Sequence, residues 1–320
     1  MRVLITGGSG FVGQWLARAA LARGDSVCCA DINAVVLPAD LLGESERKAI
    51  RWLHVDLADD GQIVGALATS KPDVVFHLAG ISFVPDAQGS PIRTYTINAV
   101  GVARLLEAIA VARRAGELDP AILVVGSAEQ YGRHPMESMP LREDADQRPM
   151  TVYAASKAAQ EVIALQYARH DGLRVIGTRS FNHSGVGHAK HFLLPALVRR
   201  ALGVRAGLRN VLVIGNGTPV RDFLHVRDVV TAYLLLAEHG VPGEVYNVCS
   251  GEGRSIADLA ERVLRRVGAN ATVATDATLV RPVDVPVQIG SPEKLIAATG
   301  WRPTRSIDDI IDDLIHAATD

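Results

Sequence analysis

The chain is poor in cysteine, with only Cys28, Cys29 and Cys249 among 320 residues. Two of the three are adjacent inside an apolar run, which suits small buried hydrophobes better than a disulfide, so a reducing compartment is expected. Charge of one sign is equally scarce: 33 basic residues face 35 acidic ones, for a formal net charge of −2. That balance supplies no electrostatic reason for a nucleic-acid or anionic-membrane partner. The doublets Arg113-Arg114, Arg199-Arg200 and Arg265-Arg266 lie in helix-like segments, where a solvated face accounts for them. No apolar run is expected to approach membrane-spanning length, and neither internal repeats nor low-complexity segments stand out. The opening Arg2-Val3-Leu4-Ile5 runs straight into a glycine turn, so no signal peptide is expected and a cytoplasmic protein is.

What is present suits a large core: 48% of residues are hydrophobic and 21% charged, and the length allows about two domains. Short apolar runs at Val3–Thr6, Ser26–Ile32, Trp52–Val55, Val74–Leu78, Ile122–Gly126 and Val175–Arg179 read as strands. Helical periodicity at Val12–Arg23, Ile97–Arg114, Tyr153–His170 and Leu193–Leu202 falls between or after them. Alternating β and α elements predict a parallel sheet covered on both faces. Past residue 180 the pattern loosens into loops such as "SFNHSGVGHAKHF" and "IGNGTPVRDF", and a proline-containing loop spans Arg133 to Met150. Long loops inside compact domains are more often functional than idle. Helices return at Ile256–Val267 and Ile307–Ala317, as a smaller lobe would require.

Gly7, Gly10 and Gly13 follow the first strand at three-residue spacing and open a helix. Glycine permits a sharp turn and a close approach of phosphate, while the free N–H groups at a helix start favour an anion. The next strand, "SVCCAD", ends in Asp31, about twenty residues on, where a carboxylate accepts hydrogen bonds from an adenosine ribose. An incidental strand-to-helix turn explains none of this context. The fold expected is therefore α/β, a Rossmann-type doubly wound parallel sheet with a smaller C-terminal lobe. Residues 1–180 with about 222–249 would form the dinucleotide domain, and 181–221 with 250–320 the lobe. A carboxylate at Asp31 would repel a 2′-phosphate, so NAD(H) is preferred and NADP(H) admitted as a second cofactor.

"YAASK" places Tyr153 and Lys157 four residues apart, on one face of a helix. A phenol near pKa 10 is a sluggish acid-base group, and lowering it by about three units takes roughly 4 kcal/mol. The ammonium of Lys157 and an oxidised nicotinamide are the expected sources. "ILVVGSAEQYG" puts Ser127 at the end of a central strand, where open parallel sheets bind ligands, so its hydroxyl can hold the same substrate oxygen as Tyr153. His183, His188 and His191 share a loop with no carboxylate or cysteine to complete a metal site; a loop facing substrate is expected, with no metal.

Through "TGGSGFVG", "HLAG" (His77–Gly80), Asn98, "GSAEQYG" and "YAASK" the sequence resembles the extended short-chain dehydrogenase/reductase family over nearly its whole length. Further segments are similar to its members acting on GDP-linked 4-keto-6-deoxy-hexoses: "RSFNHSGVG", "RDFLHVRDVVTAYLLL", "YNVCSG" and "RPVDVPVQIGSPEKL". The resemblance implies that Gly7, Gly10, Phe11, Val12, Gly13 and Asp31 line the cofactor. It implies the same for Asp56, Leu57, Leu78, Ala79, Gly80, Asn98, Tyr153 and Lys157. It further implies Ser127, Tyr153 and Lys157 as catalytic, with Glu129 beside them. Asn182 and Phe192 would border the sugar nucleotide, Arg221 and Arg281 would neutralise its diphosphate, and Asp284 would bond its ribose. A planar guanidinium fits diphosphate oxygens bidentately, which supports the two arginines independently.

The activity so implied is reduction of the C4 ketone of GDP-4-keto-6-deoxy-D-mannose to GDP-D-rhamnose by a homodimer joined through helices 97–114 and 153–170. A 4,6-dehydratase is the nearest alternative, but resemblance to that branch would lead one to expect a polar residue where Ala128 stands and Gln-Asp where Phe11-Val12 stands. A C4-epimerase uses the same Ser, Tyr and Lys. A non-catalytic dinucleotide sensor typically lacks the tyrosine or lysine that this chain retains.

Overall fold

The computed structural model describes residues 1–33, 41–279 and 285–319. Runs such as Val3-Leu4-Ile5 and Val74-Val75-Phe76 are apolar on both faces, which suits strands covered on both sides. They build β1 (Arg2–Thr6), β2 (Ser26–Asp31), β3 (Arg51–His54), β4 (Val74–His77), β5 (Ala121–Ser127) and β6 (Arg174–Ser180). The chain then forms β7 (Asn182–Ser184), β8 (Val211–Ile214) and β9 (Val220–His225) before β10 (Val245–Val248) joins the first sheet beside β6. The seven strands lie in the order β10-β6-β5-β4-β1-β2-β3, each pair parallel. Connections run one way from β1 to β3 and the other way from β4 to β10. The crevice at the carboxyl ends of β1 and β4 is thus where such a sheet receives a ligand.

Alternate residues of β5 show how both faces are filled. Leu123 packs with residues of the helices Phe11–Ala22 and Val226–His239, whereas Ile122 and Val124 face Asp60–Ser70, Gly101–Arg114 and Val152–Asp171. Cys28 and Cys29 fall on opposite faces for the same reason. Both are free thiols; burial pushes Cys28 up to about 11 and Cys29 higher, which leaves them inert packing groups.

The expectation that no apolar run reaches membrane-spanning length is corrected by Pro91–Arg114, a 24-residue helical stretch long and apolar enough to cross a membrane. Of its most apolar window 44% is buried inside the protein, and Val102, Leu105, Leu106 and Ile109 join the core with Val75 and Ile122. Its apolarity serves the sheet.

The lobe adds β11 (Gly253–Ser255), β12 (Thr272–Thr275) and β13 (Val287–Gln288). β9 pairs with β7, β11 and β13, and β8 with β12. Helices Leu193–Arg205, Ile256–Val267 and Ile307–Thr319 enclose a separate core containing Leu197, Leu259, Val263 and Ile310. Every partner of β9 among the described residues is a strand of this smaller group.

Candidate active site

The glycine turn is held where the sheet demands it. Gly7 has φ +73°, and a Cβ there would lie 2.8 Å from the Ala79 nitrogen; a Cβ on Gly13 would lie 2.4 Å from the Gly7 carbonyl oxygen. The helix Phe11–Ala22 therefore starts in direct contact with the turn. No side chain caps it and its first turn holds no acidic residue, whereas Thr151 caps the helix Val152–Asp171 by accepting from Ala154 N–H. An uncapped helix start beside a glycine turn suits an anion. Asp31 closes the far side: its carboxylate accepts from the backbone N–H groups of Ser9 at 3.2 Å and Asn33 at 2.9 Å.

Asp56 accepts from the Ala58 N–H at 2.9 Å, and Leu57 is buried at the carboxyl side of β3. Leu78 and Ala79 are half-buried just past β4, with Gly80 exposed. Asn98 has a different part. It is fully buried in a single π-turn, Thr96–Val100. Its carbonyl oxygen accepts from Ile81 N–H, and its amide donates to the Ile81 carbonyl and the Ser156 hydroxyl, all within 3.0 Å. Asn98 thus latches the segment after β4 to the helix carrying Tyr153 and Lys157.

Ser127 ends β5 and Tyr153 lies in the first turn of its helix, close enough for the serine hydroxyl to act on the phenol. Burial, the largest influence, pushes the Tyr153 phenol of the cofactor-free chain up to about 12, the Ser127 side chain opposing and the Glu129 charge adding. Lys157 supplies no counterweight. Its ammonium, 5% exposed, donates to the Val125 carbonyl at 2.8 Å and to Gln160 Oε1 at 2.9 Å, and burial draws it down to about 8. A phenol so placed is a protonated acid at neutral pH. His77 lies beneath, fully buried; Nδ1 pairs with Thr6 Oγ1 at 2.9 Å while Nε2 has no hydrogen-bond partner among the described residues.

On the lobe side Asn182 donates weakly to the Asp222 carbonyl at 3.4 Å. Phe192, at the start of helix Leu193–Arg205, stacks on His188 with centroids 4.2 Å apart, and His188 stacks on Phe11 at 4.6 Å. His188 thereby bridges the glycine turn and the lobe as a neutral aromatic, burial holding it down to about 3. Arg221 is half-buried on β9, next to the fully buried Asp222. Sequence reasoning passed over Asp222. Its carboxylate collects the N–H groups of Ser250 and Gly251 and the Ser250 hydroxyl within 2.9 Å, fixing the loop after β10 to β9. Arg281 and Asp284 lie outside the described residues.

Fold and site define a class, the dinucleotide-dependent oxidoreductases. The family model described as GDP-mannose 4,6 dehydratase matches residues 4–314. The chain is 34% identical to GDP-6-deoxy-D-mannose reductase of Pseudomonas aeruginosa, covering 96% of this chain and 93% of that one. The structure of RMD from Pseudomonas aeruginosa complexed with NADPH superimposes with a TM-score of 0.82 at 32% identity, covering 99% and 98% of the two chains. The UDP-glucose 4-epimerase of Thermus thermophilus in complex with NAD gives 0.85 at 29% identity, again over 99% and 98%. The chain belongs to this family of extended short-chain dehydrogenases/reductases, the nucleotide-sugar epimerases, dehydratases and reductases.

Proposed function

We propose that the protein reduces the C4 ketone of a GDP-linked 4-keto-6-deoxy-hexose, converting GDP-4-keto-6-deoxy-D-mannose to GDP-D-rhamnose. The observation that carries this reading is the half-buried, protonated phenol of Tyr153 set beside Ser127 at the carboxyl end of a central parallel strand. Bound NAD(P)H supplies the hydride. Ser127 holds the ketone oxygen, and Tyr153 gives it a proton as negative charge develops there. Lys157 anchors the helix to β5 through the Val125 carbonyl. Glu129, close enough to raise the Tyr153 phenol, keeps that proton in place.

Gly7, Gly10, Phe11, Val12 and Gly13 would receive the pyrophosphate, and Asp31 the ribose, so NADH is preferred and NADPH accepted. Asn182, Phe192 and Arg221 would hold the sugar nucleotide. The reductase reading is favoured over a dehydratase by Ala128, which is buried and whose carbonyl is taken by Gln288 at 2.8 Å; neither helps a hydroxyl to leave. Val111 and Val162 are exposed on the two helices expected to pair, in support of a homodimer. Buried free cysteines support a cytoplasmic location.

The test is loss of nicotinamide absorbance with GDP-4-keto-6-deoxy-mannose made in place by a separate dehydratase. Stoichiometric loss with a GDP-deoxyhexose product is expected. Conversion of GDP-mannose itself to a keto sugar by this protein alone would move it to the dehydratases.

A further inference from the structure

Behind the site runs a buried polar chain that the proposed reaction does not use. Tyr153, Lys157 and Glu161 follow one another at four-residue spacing on one stripe of a helix. Glu161 is only 5% exposed, as is Arg179 on β6. Arg179 grips the Glu161 carboxylate with two bonds, Nε to Oε2 at 2.9 Å and Nη2 to Oε1 at 2.7 Å. The side-chain amides of Gln130 and Gln147 also donate to it. Four donors match the four acceptor positions of a carboxylate.

Gln130 turns this ion pair toward Ser127. Its Nε2 donates to Glu161 Oε2 at 2.9 Å, and its Oε1 accepts the backbone N–H of Ser127 at 2.7 Å. The fold makes room for that: a Cβ on Gly126 would lie 2.5 Å from Gln130 Oε1. Ser127 is therefore held through Gln130 by the same helix that carries Tyr153.

We propose that Gln130 and Glu161 are positioning residues that set the Ser127 hydroxyl against Tyr153, the Arg179 ion pair fixing the carboxylate to which Gln130 is tied. The proposal rests on the reading of Ser127 as the group holding the ketone oxygen. A buried ion pair is weak evidence for stability in itself. Its use here is geometric, because a misplacement of about 1 Å can cost a hundredfold in rate.

The test uses the whole enzyme, NADPH and GDP-4-keto-6-deoxy-mannose. Gln130→Met keeps the side-chain length and removes both the acceptor and the donor of the amide. Its kcat is expected to fall on the order of tenfold to a hundredfold, with KM and the NADPH dissociation constant within about twofold of wild type, and with no further loss when it is added to Ser127→Ala. Glu161→Gln, which keeps one acceptor for Gln130, should show a smaller loss of the same kind and decides the matter by the same criteria if Gln130→Met does not fold. Wild-type kcat in the folded variant, while Ser127→Ala is impaired, overturns the proposal. So does a loss that persists in full in the Ser127→Ala background. If Ser127→Ala itself turns over normally, the reading of Ser127 has failed and the positioning proposal falls with it.

Discussion

The ammonium of Lys157 donates to the Val125 carbonyl at 2.8 Å, so the helix bearing Tyr153 is tied to β5 two residues before Ser127. The same carbonyl also accepts from the Gln160 amide at 3.0 Å. Ser127, Tyr153 and Lys157 are thus placed by one strand end and one helix, the helix packing on a single face of the sheet. Consequences for activity and stability follow from that placement.

Tyr153→Phe removes the acid and leaves the ring. Turnover should drop by about a hundredfold to ten-thousandfold, the usual worth of a positioned general acid. Cofactor affinity, measured by nicotinamide fluorescence, should stay within about twofold. Retained turnover would assign the proton to another group.

The pH dependence separates lysine from tyrosine. With Lys157 drawn down to about 8 and Tyr153 pushed up to about 12, the first group to lose its proton as pH rises is the ammonium. kcat/KM, which reports the free enzyme, should therefore fall as pH rises through about 8. Lys157→Met should be slower at every pH and lack that limb. A limb that survives the substitution would belong elsewhere.

At the glycine turn, Gly7→Ala would force a left-handed φ of +73° on alanine and set its Cβ 2.8 Å from the Ala79 nitrogen. Left-handed backbone alone costs an L-residue roughly 1–2 kcal/mol, and the displaced turn should weaken NAD(P)H binding by more than about tenfold. Calorimetric titration and thermal melting read the two effects separately.

His77 makes the fold sensitive to acid. Burial, and then the Lys157 charge, hold it down to about 3, below its ordinary 6.5. Between those values the unfolded chain binds a proton that the folded one does not, so stability falls as pH drops from 6.5 toward 3, by up to about 1.4 kcal/mol per pH unit. His188 is held down similarly, so His77→Gln should reduce the slope without abolishing it. Urea unfolding across this range measures it.

Local patterns were legible in the sequence because their physics is local. The glycine turn, Asp31 at the end of the next strand and the Tyr153–Lys157 spacing each depend on a few consecutive residues. Each of them sits where the pattern puts it. What the sequence hid depends on distant partners. Asn98 stood out in the sequence, but its bonds to Ile81 and Ser156 did not, and Gln130, Glu161 and Arg179 come together from three separate elements. The direction of the Tyr153 shift was also hidden, since it follows from burial, which spacing does not reveal, and from Lys157 facing a carbonyl. Pro91–Arg114 was undervalued because its polar residues interrupt an apolar stripe that only the folded sheet shows.

The measurement that tests the account most directly is transfer of deuterium from labelled NADH or NADPH to GDP-4-keto-6-deoxy-mannose, followed by NMR of the product. The account predicts deuterium at C4, one equivalent for each cofactor oxidised, and its near disappearance with Tyr153→Phe. An absence of label at C4, with GDP-mannose instead losing water and the cofactor returning unchanged, would contradict it.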